Sequence, residues 1–569
     1  MTRGVGLALR FAQKRNVPSL SGKRAFLELL KQEGVDYIFG NPGTTELPLM
    51  DALAVEKELR YVLALQEAGV MAMADGYAQA SGKLAVVSLH VAPGLGNAMG
   101  MLYNARKAGS PVIVTAGQHP QSFSFSEPLL WAELPQIARP LVKWSAEVRR
   151  LQDLPAAIHR AAKTALAPPS GPVFLSLPGD VLTDEGEIDL GAPSRVAPHL
   201  RGDRDAIEAA AELCARAKSP LIFAGDALAQ SHALGEAVQL AELLGAPVYS
   251  EVVASRASFP STHPLFRGAM TRAQKIIHEI LSRHDLVISL GADLFTLSLP
   301  STVDAMPRGM PIVHLDTDAW ELAKNYPASA AIFGEPKAIL PELIAQIELH
   351  MDAERRSHAQ TRGETSRRQG MEEREALRAA ARAAAGENPI QPLALLETLG
   401  EILPPEAVVI DETISSGRGL RLLLRSDDAQ SFFGNRGGGI GWGLPAAIGA
   451  KIALPNRPVV ALSGDGSAMY SVQSLWTAAH EKLGVAFVIF NNSSYQILKQ
   501  RVKAMGQDAA RTDTYVGMNL MDPAIDFVAL AKSLGVKAER AVTLDQVRAH
   551  LDRALQSKGP TLLDVAIAS

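Results

Sequence analysis

A chain of 569 residues has room for about three to four domains, and 47% hydrophobic with 20% charged residues is the make-up of a globular protein with ample core. Its 56 basic and 60 acidic residues give a net charge of −4, so no basic excess advertises nucleic acid. The single Cys214 excludes an internal disulfide or a cysteine-built metal centre and suits a reducing, cytoplasmic setting, and no apolar run approaches the roughly 20 residues that span a membrane.

Residues 1–20 form an N-terminal tail carrying Arg3, Arg10, Lys14 and Arg15 without an acid. A transit peptide shares that pattern; a disordered tail or an upstream start codon is the expectation. The first block, 21–182, has apolar runs predicted as strands at 37–39, 61–64, 84–89, 112–115 and 173–177. Thr44, Thr45 and Glu46 fall in the turn after the first of these, the latter two as turn and helix-cap residues. Glu67 opens a helix after the second strand, in an apolar setting of Leu63, Val70 and Met71. His90 ends the third strand, where a histidine can move protons. The glycines that follow, Gly94 and Gly96, depart from the GxGxxG spacing of a dinucleotide site.

A polar stretch leads to a central block, 205–347, with strands expected at 221–224, 286–290 and 312–315, and with His284 and His314 at strand ends. Residues 352–388, dense in Arg, Glu and Ala, read as a solvated helical linker. The third block, 389–569, holds the most informative segment, GDGSAMYSVQSLWTAAHEKLGVAFVIFNN. Its apolar runs at 459–462 and 485–490 predict parallel strands joined by a crossover helix over 468–480. Asp465 and Asn492, 492 − 465 = 27 residues apart, then lie together at the carboxyl ends of two strands, where open α/β sheets bind ligands. An acid and an amide flanked by glycines suit a magnesium ion clamping a diphosphate. Blocks one and three share an order of strand, Gly loop, small-residue helix and strand, which points to an internal duplication with one copy for each end of a two-ended cofactor.

GDG followed by NN resembles the motif of the thiamine diphosphate-dependent decarboxylase and carboligase superfamily. The segments GNPGTTELPLMDAL, RYVLALQEAGVMAMADGYAQASGK, LHVAPGLGNAMGMLYNA, HPLFRGAM and GGGIGWGLPAAIGA are similar to its benzoylformate decarboxylase branch. The resemblance implies three doubly wound parallel-sheet α/β domains that bind the aminopyrimidine, form the centre, and bind the diphosphate. It implies Mg²⁺ held by Asp465, Asn492 and the Ser494 carbonyl, with Gly464, Gly466, Ser467 and Ser415 at the diphosphate. It puts Ile440 under the thiazolium, the Gly438 carbonyl at the aminopyrimidine amine, Glu67 as the activating carboxyl, His90 as proton carrier, and Thr44 where the branch has a serine holding the substrate carboxylate. Two departures stand out. Ser298 replaces a second catalytic histidine, and Arg436 replaces a small residue, either to bind an anionic substrate group or to form a structural salt bridge. The implied reaction is decarboxylation of a benzoylformate-like 2-oxo acid to an aldehyde through an enamine; the alternative is an acyloin-forming or acyl-CoA carboligase related to acetolactate synthase. Intact Glu67, Asp465 and Asn492 argue against a catalytically silent subunit. The implied assembly is a homodimer or homotetramer with the cofactor at the subunit interface, acting on small molecules, with neither nucleic acid nor membrane as partner. The central block carries no fingerprint for FAD or ADP.

Overall fold

The computed structural model describes residues 18–297 and 300–569. Three six-stranded sheets, every strand parallel to its neighbours, form the frame. Parallel sheets need helices on both faces, so their inner strands are apolar throughout rather than alternating; Ala85–Leu89, Leu286–Leu290 and Val485–Asn491 are buried at every position.

The first sheet consists of Tyr37–Gly40, Arg60–Leu63, Ala85–Leu89, Val112–Gln118, Ser145–Glu147 and Val173–Pro178. Numbered in chain order, these strands lie side by side as 2-1-3-4-6-5. The third sheet consists of Val408–Glu412, Phe432–Gly434, Val459–Gly464, Val485–Asn491, Lys537–Ala541 and Thr561–Ala566, and its order is again 2-1-3-4-6-5. Matching topology in blocks one and three is what a duplicated unit would leave. The central sheet differs, with order 3-2-1-4-5-6 over Pro220–Ala224, Val248–Ser250, Phe266–Ala269, Leu286–Leu290, Ile312–Asp316 and Ala330–Phe333.

The outer two sheets share one apolar core, which includes Val70, Met73 and Leu102 from the first and Trp442, Ile448 and Leu475 from the third. Helices Glu67–Ser81 and Gly443–Ala453 cross at backbone contact. A Cβ on Gly449 would stand 1.9 Å from the Met73 carbonyl oxygen, and one on Gly76 would stand 2.3 Å from that of Ala446. No side chain fits at that crossing, so both positions require glycine. The central and third blocks are joined through a 31-residue helix, Ala353–Ala383.

The crossover expected as one helix over 468–480 is two pieces, Asp465–Ala468 and Ser474–His480. Between them the Ser471 N–H donates to the Ala468 carbonyl and the Ser474 N–H to the Ser471 carbonyl, three-residue turns that interrupt the four-residue helical ladder. The break seats Tyr470 against Gly441, where an added Cβ would meet the tyrosine at 2.5 Å.

Candidate active site

Strands Val459–Gly464 and Val485–Asn491 pair in parallel, with Gly464 opposite Phe490, so that Asp465 and Asn492 emerge beside each other. Asp465 is buried, and its Oδ2 accepts a hydrogen bond from the Ser494 N–H at 3.2 Å. Burial pushes its carboxyl up to about 6, while backbone N–H bonds from Gly466, Ser494 and Ser493 pull the other way. Asn492 Oδ1 is buried without a hydrogen-bond partner among the described residues. Such an oxygen is costly unless a donor or cation meets it. Both residues line a cavity of about 310 Å³ together with Ser415, Ile440, Gly464, Gly466, Ser467 and Ser494. Gly464 leaves open space where a Cβ would be, whereas a Cβ on Gly466 would strike the Tyr495 ring at 2.7 Å. Gly438 lies outside the lining, exposed, at φ 78°.

The loop that carries Gly438 and Ile440 is fastened by residues the sequence reading passed over. Glu412 ends strand Val408–Glu412, is buried, and lines the cavity. Its Oε1 accepts from the Gly441 and Trp442 N–H groups at 2.9 and 3.0 Å and from Asn435 Nδ2 at 3.2 Å, and its Oε2 accepts from the Gly443 N–H at 2.9 Å. Burial pushes this carboxyl up to about 7 despite the four donors. From the first domain, Asn104 brackets Gly439, donating to its carbonyl at 2.7 Å and accepting from its N–H at 2.9 Å. An acid at a strand end ahead of a Gly-rich loop was the available signal for Glu412. Nothing local marks Asn104.

In the first domain, Glu67 is the first residue of helix Glu67–Ser81, and its carboxylate accepts from Asn41 Nδ2 at 3.1 Å and Asn97 Nδ2 at 3.0 Å. The expected apolar setting is therefore corrected: Val70 and Met71 are buried in the core, while the carboxylate itself is held by two amides. His90 caps helix Val91–Ala108, and its Nδ1 lies 2.9 Å from Glu46 Oε2 and 3.1 Å from Thr45 Oγ1. Glu46 is buried and also accepts from the Gly43 and Gly117 N–H groups at 3.0 and 2.9 Å. Thus Thr45 and Glu46, read from sequence as turn and cap, are the partners of His90. A bond from Nδ1–H to this carboxylate leaves Nε2 as the basic nitrogen. Thr44 is exposed, and its hydroxyl bonds to no described residue. None of these first-domain residues lines the cavity, whose wall comes wholly from residues 412–498.

Arg436 is drawn away from the cavity into an ion pair with Asp226 and Glu251 of the central domain, the salt-bridge alternative. Glu251 is pushed up to about 8, mainly by burial. His314 is mid-strand rather than at a strand end, paired with Ser289 and Ala331 on its two sides, and burial pushes it down to about 4. His284 precedes its strand and bonds to Ser219, and burial lowers its pKa as well. Ser298 lies outside the described residues.

Models of the N-terminal, central and C-terminal domains of the thiamine pyrophosphate enzymes match residues 20–127, 207–343 and 418–565. Benzoylformate decarboxylase of Pseudomonas aeruginosa is 33% identical over 545 residues, covering 95% of this chain and 98% of that protein. Acetolactate synthase of Mycobacterium bovis is 29% identical over 91% of this chain and 83% of its own length. Among solved structures, 4-hydroxybenzoylformate decarboxylase of Rhodococcus jostii RHA1 superposes with a TM-score of 0.83 at 30% identity, covering 96% of this chain and 99% of its own. Benzoylformate decarboxylase of Polynucleobacter necessarius gives 0.84 at 32%, covering 96% and 98%. With all three domains matched in order and a relative one-third identical along nearly its whole length, the chain belongs to the thiamine pyrophosphate enzymes, the family of decarboxylases and carboligases that includes benzoylformate decarboxylase.

Proposed function

We propose that the protein is a thiamine diphosphate- and Mg²⁺-dependent decarboxylase that converts 2-oxo acids, aryl ones among them, to aldehydes. The observation that carries this reading is the buried, unpartnered Asn492 Oδ1 beside the Asp465 carboxylate, two oxygens of the kind a hard divalent cation takes. Asp465, Asn492 and the Ser494 carbonyl would hold Mg²⁺. Ser415, Gly464, Gly466 and Ser467 would receive the diphosphate, with Gly438 and Ile440 flanking the rings. When bound, the cofactor supplies a carbon nucleophile and an electron sink for the bond to the departing carboxyl carbon. Glu67, aimed by Asn41 and Asn97, would hold a proton at the aminopyrimidine ring. His90, tied at Nδ1 to Glu46, would move a proton at Nε2. The Thr44 hydroxyl would take the substrate carboxylate. Because Glu67 and His90 stand off the cavity wall, a second copy of the chain is proposed to supply them, in a homodimer or homotetramer with the cofactor between subunits. No described helix is long and apolar enough to cross a membrane, and the lone buried Cys214 supports a cytoplasmic location.

The test incubates Mg²⁺-loaded holoenzyme with a panel of 2-oxo acids, with and without acceptor aldehydes, and identifies products by mass spectrometry. Aldehyde and CO₂ are expected. Acyloins as the main product would support carboligation instead, a reading that the match to acetolactate synthase favours. Consumption of none of the acids would refute both.

A further inference from the structure

Gly437, Gly438 and Gly439 stand in a row ahead of Ile440, and Gly438 takes φ 78°. With no Cβ on three successive residues, the peptide planes on either side of Gly439 can turn at little cost, so a group outside the run has to set them. Asn104 does so, from helix Val91–Ala108 of the first domain. Its side chain is buried and meets Gly439 twice: Oδ1 accepts from the Gly439 N–H at 2.9 Å, and Nδ2 donates to the Gly439 carbonyl at 2.7 Å. Turned over, the amide would set oxygen against oxygen and nitrogen against nitrogen, so its partner fixes its orientation. The approach is close. A Cβ on Gly437 would stand 2.2 Å from Asn104 Oδ1, and one on Gly439 would stand 2.9 Å from it. Two turns earlier the same helix carries Asn97, which donates to Glu67, so the anchor belongs to an element that is itself tied down.

Each bond orients a neighbour through the planarity of the peptide. The Gly439 N–H shares a plane with the Gly438 carbonyl, and in a trans peptide the two point in opposite directions. Fastening that N–H to Asn104 therefore aims the Gly438 carbonyl away from Asn104, and this carbonyl accepts from no described residue. The Gly438 N–H is held in turn by Asn435 Oδ1 at 3.0 Å. The Gly439 carbonyl shares its plane with the Ile440 N–H. Asn104 and Asn435 both donate to it at 2.7 Å, which sets the plane from which Ile440 enters the cavity wall. We infer that Asn104 is a positioning residue for the reaction, one that aims the Gly438 carbonyl and seats Ile440 from a different domain. This rests on the decarboxylase reading above, in which Gly438 and Ile440 flank the cofactor rings, and adds to it a residue that stands off the cavity wall.

The experiment uses the full-length, Mg²⁺-loaded holoenzyme and two readouts: exchange of the cofactor C2 proton for deuterium, by NMR at saturating thiamine diphosphate, and the split between kcat and KM for a 2-oxo acid that the parent turns over. Asn104→Ala removes both bonds and should slow exchange per bound cofactor and kcat by about 10- to 100-fold, with KM little changed. Asn104→Asp keeps the size of the side chain and an acceptor for the Gly439 N–H, but has a donor for the Gly439 carbonyl only while protonated. Its kcat relative to the parent should therefore fall as pH rises through the ionisation of the new carboxyl. Asp75→Asn is the control for the interface, because Asp75 accepts from Trp442 Nε1 at 2.7 Å across the same pair of domains without bonding to Gly438 or Gly439. It should lower the melting temperature and leave exchange per bound cofactor near the parent value. Parent-like exchange in both Asn104 variants, or equal slowing in Asp75→Asn, overturns this inference and leaves the decarboxylase reading standing. Failure of the parent to bind thiamine diphosphate overturns the decarboxylase reading, and this inference with it.

Discussion

Replacing Glu412 tests how the loop that carries Gly438 and Ile440 is held. In Glu412→Ala the N–H groups of Gly441, Trp442 and Gly443, all buried, lose their acceptor together. Each orphaned buried donor costs about 1–3 kcal/mol, and water entering the cavity offsets part, so a net loss of about 3–5 kcal/mol is expected against a stability of roughly 5–15 kcal/mol. Glu412→Gln is gentler. Its carbonyl oxygen can keep Gly441, Trp442 and Asn435 while its amide opposes the single N–H of Gly443, for about 1–3 kcal/mol. Protonation adds a second signature. Burial moves the Glu412 carboxyl from its ordinary 4.5 up to about 7. An acid raised in this way stays protonated in the fold after the unfolded chain has ionised, so its contribution to stability is full below about 4.5 and is lost as pH rises to about 7. That window corresponds to roughly 3 kcal/mol. Glutamine does not titrate, so its deficit relative to the parent should be largest near pH 5 and shrink or reverse above pH 7. Urea unfolding of the apoprotein at both pH values, with calorimetric affinity for thiamine diphosphate, gives the comparison. Equal losses for Ala and Gln, or a Gln deficit that does not vary with pH, would refute the assignment of these bonds.

Asp465→Ala should abolish Mg²⁺-dependent binding of thiamine diphosphate, because the proposed metal site would lose its one anionic side-chain ligand; parent-like affinity by calorimetry would count against that site. Glu67→Gln should retain the cofactor but slow exchange of its C2 proton for deuterium, followed by NMR, and an unchanged exchange rate would leave Glu67 a structural role. His90→Ala should reduce turnover about 10²- to 10⁴-fold with cofactor affinity kept, a split that equal loss of both would contradict. Gly449→Ala forces a methyl to within 1.9 Å of the Met73 carbonyl, so helices Glu67–Ser81 and Gly443–Ala453 must part, at a cost of about 1–3 kcal/mol or more. A parent-like melting temperature would show that the crossing relaxes freely.

What could be read from the chain follows from how local each signal is. Strands such as Leu286–Leu290 stood out because a parallel strand covered on both faces must be apolar along its length. The GDG and NN ends were legible because neighbouring strands bring residues at fixed spacing to one edge. The pair Glu46 and His90 was not, since 44 residues separate them and a glutamate three residues past Gly43 also closes an ordinary capping turn. Asn104 and Gly439, 335 apart, meet only because the first and third domains share a core. The break at 469–473 depends on Tyr470 finding Gly441, a contact that helical periodicity does not encode.

The central domain shows how far topology alone carries a functional argument. Its strand order, 3-2-1-4-5-6, is the order that binds dinucleotides at the carboxyl ends of the inner strands. At that edge the chain has filled the crevice with its own charges. Asp226 accepts from the N–H groups of Ser255 and Arg256 and from Arg436, while Glu251 accepts from the N–H groups of Asp226 and Asp293. A Cβ on Gly225 would stand 2.0 Å from the Gly291 carbonyl oxygen, so the two loops close on each other. A phosphate entering there would meet two carboxylates and would have to displace Arg436, since the N–H groups that could bind it are already engaged. Arg436 belongs to the loop that also carries Gly438 and Ile440, so the same ion pair ties the central domain to that loop of the third domain. The order of strands therefore persists while the edge it creates serves as a joint, and function has to be argued from the side chains at that edge.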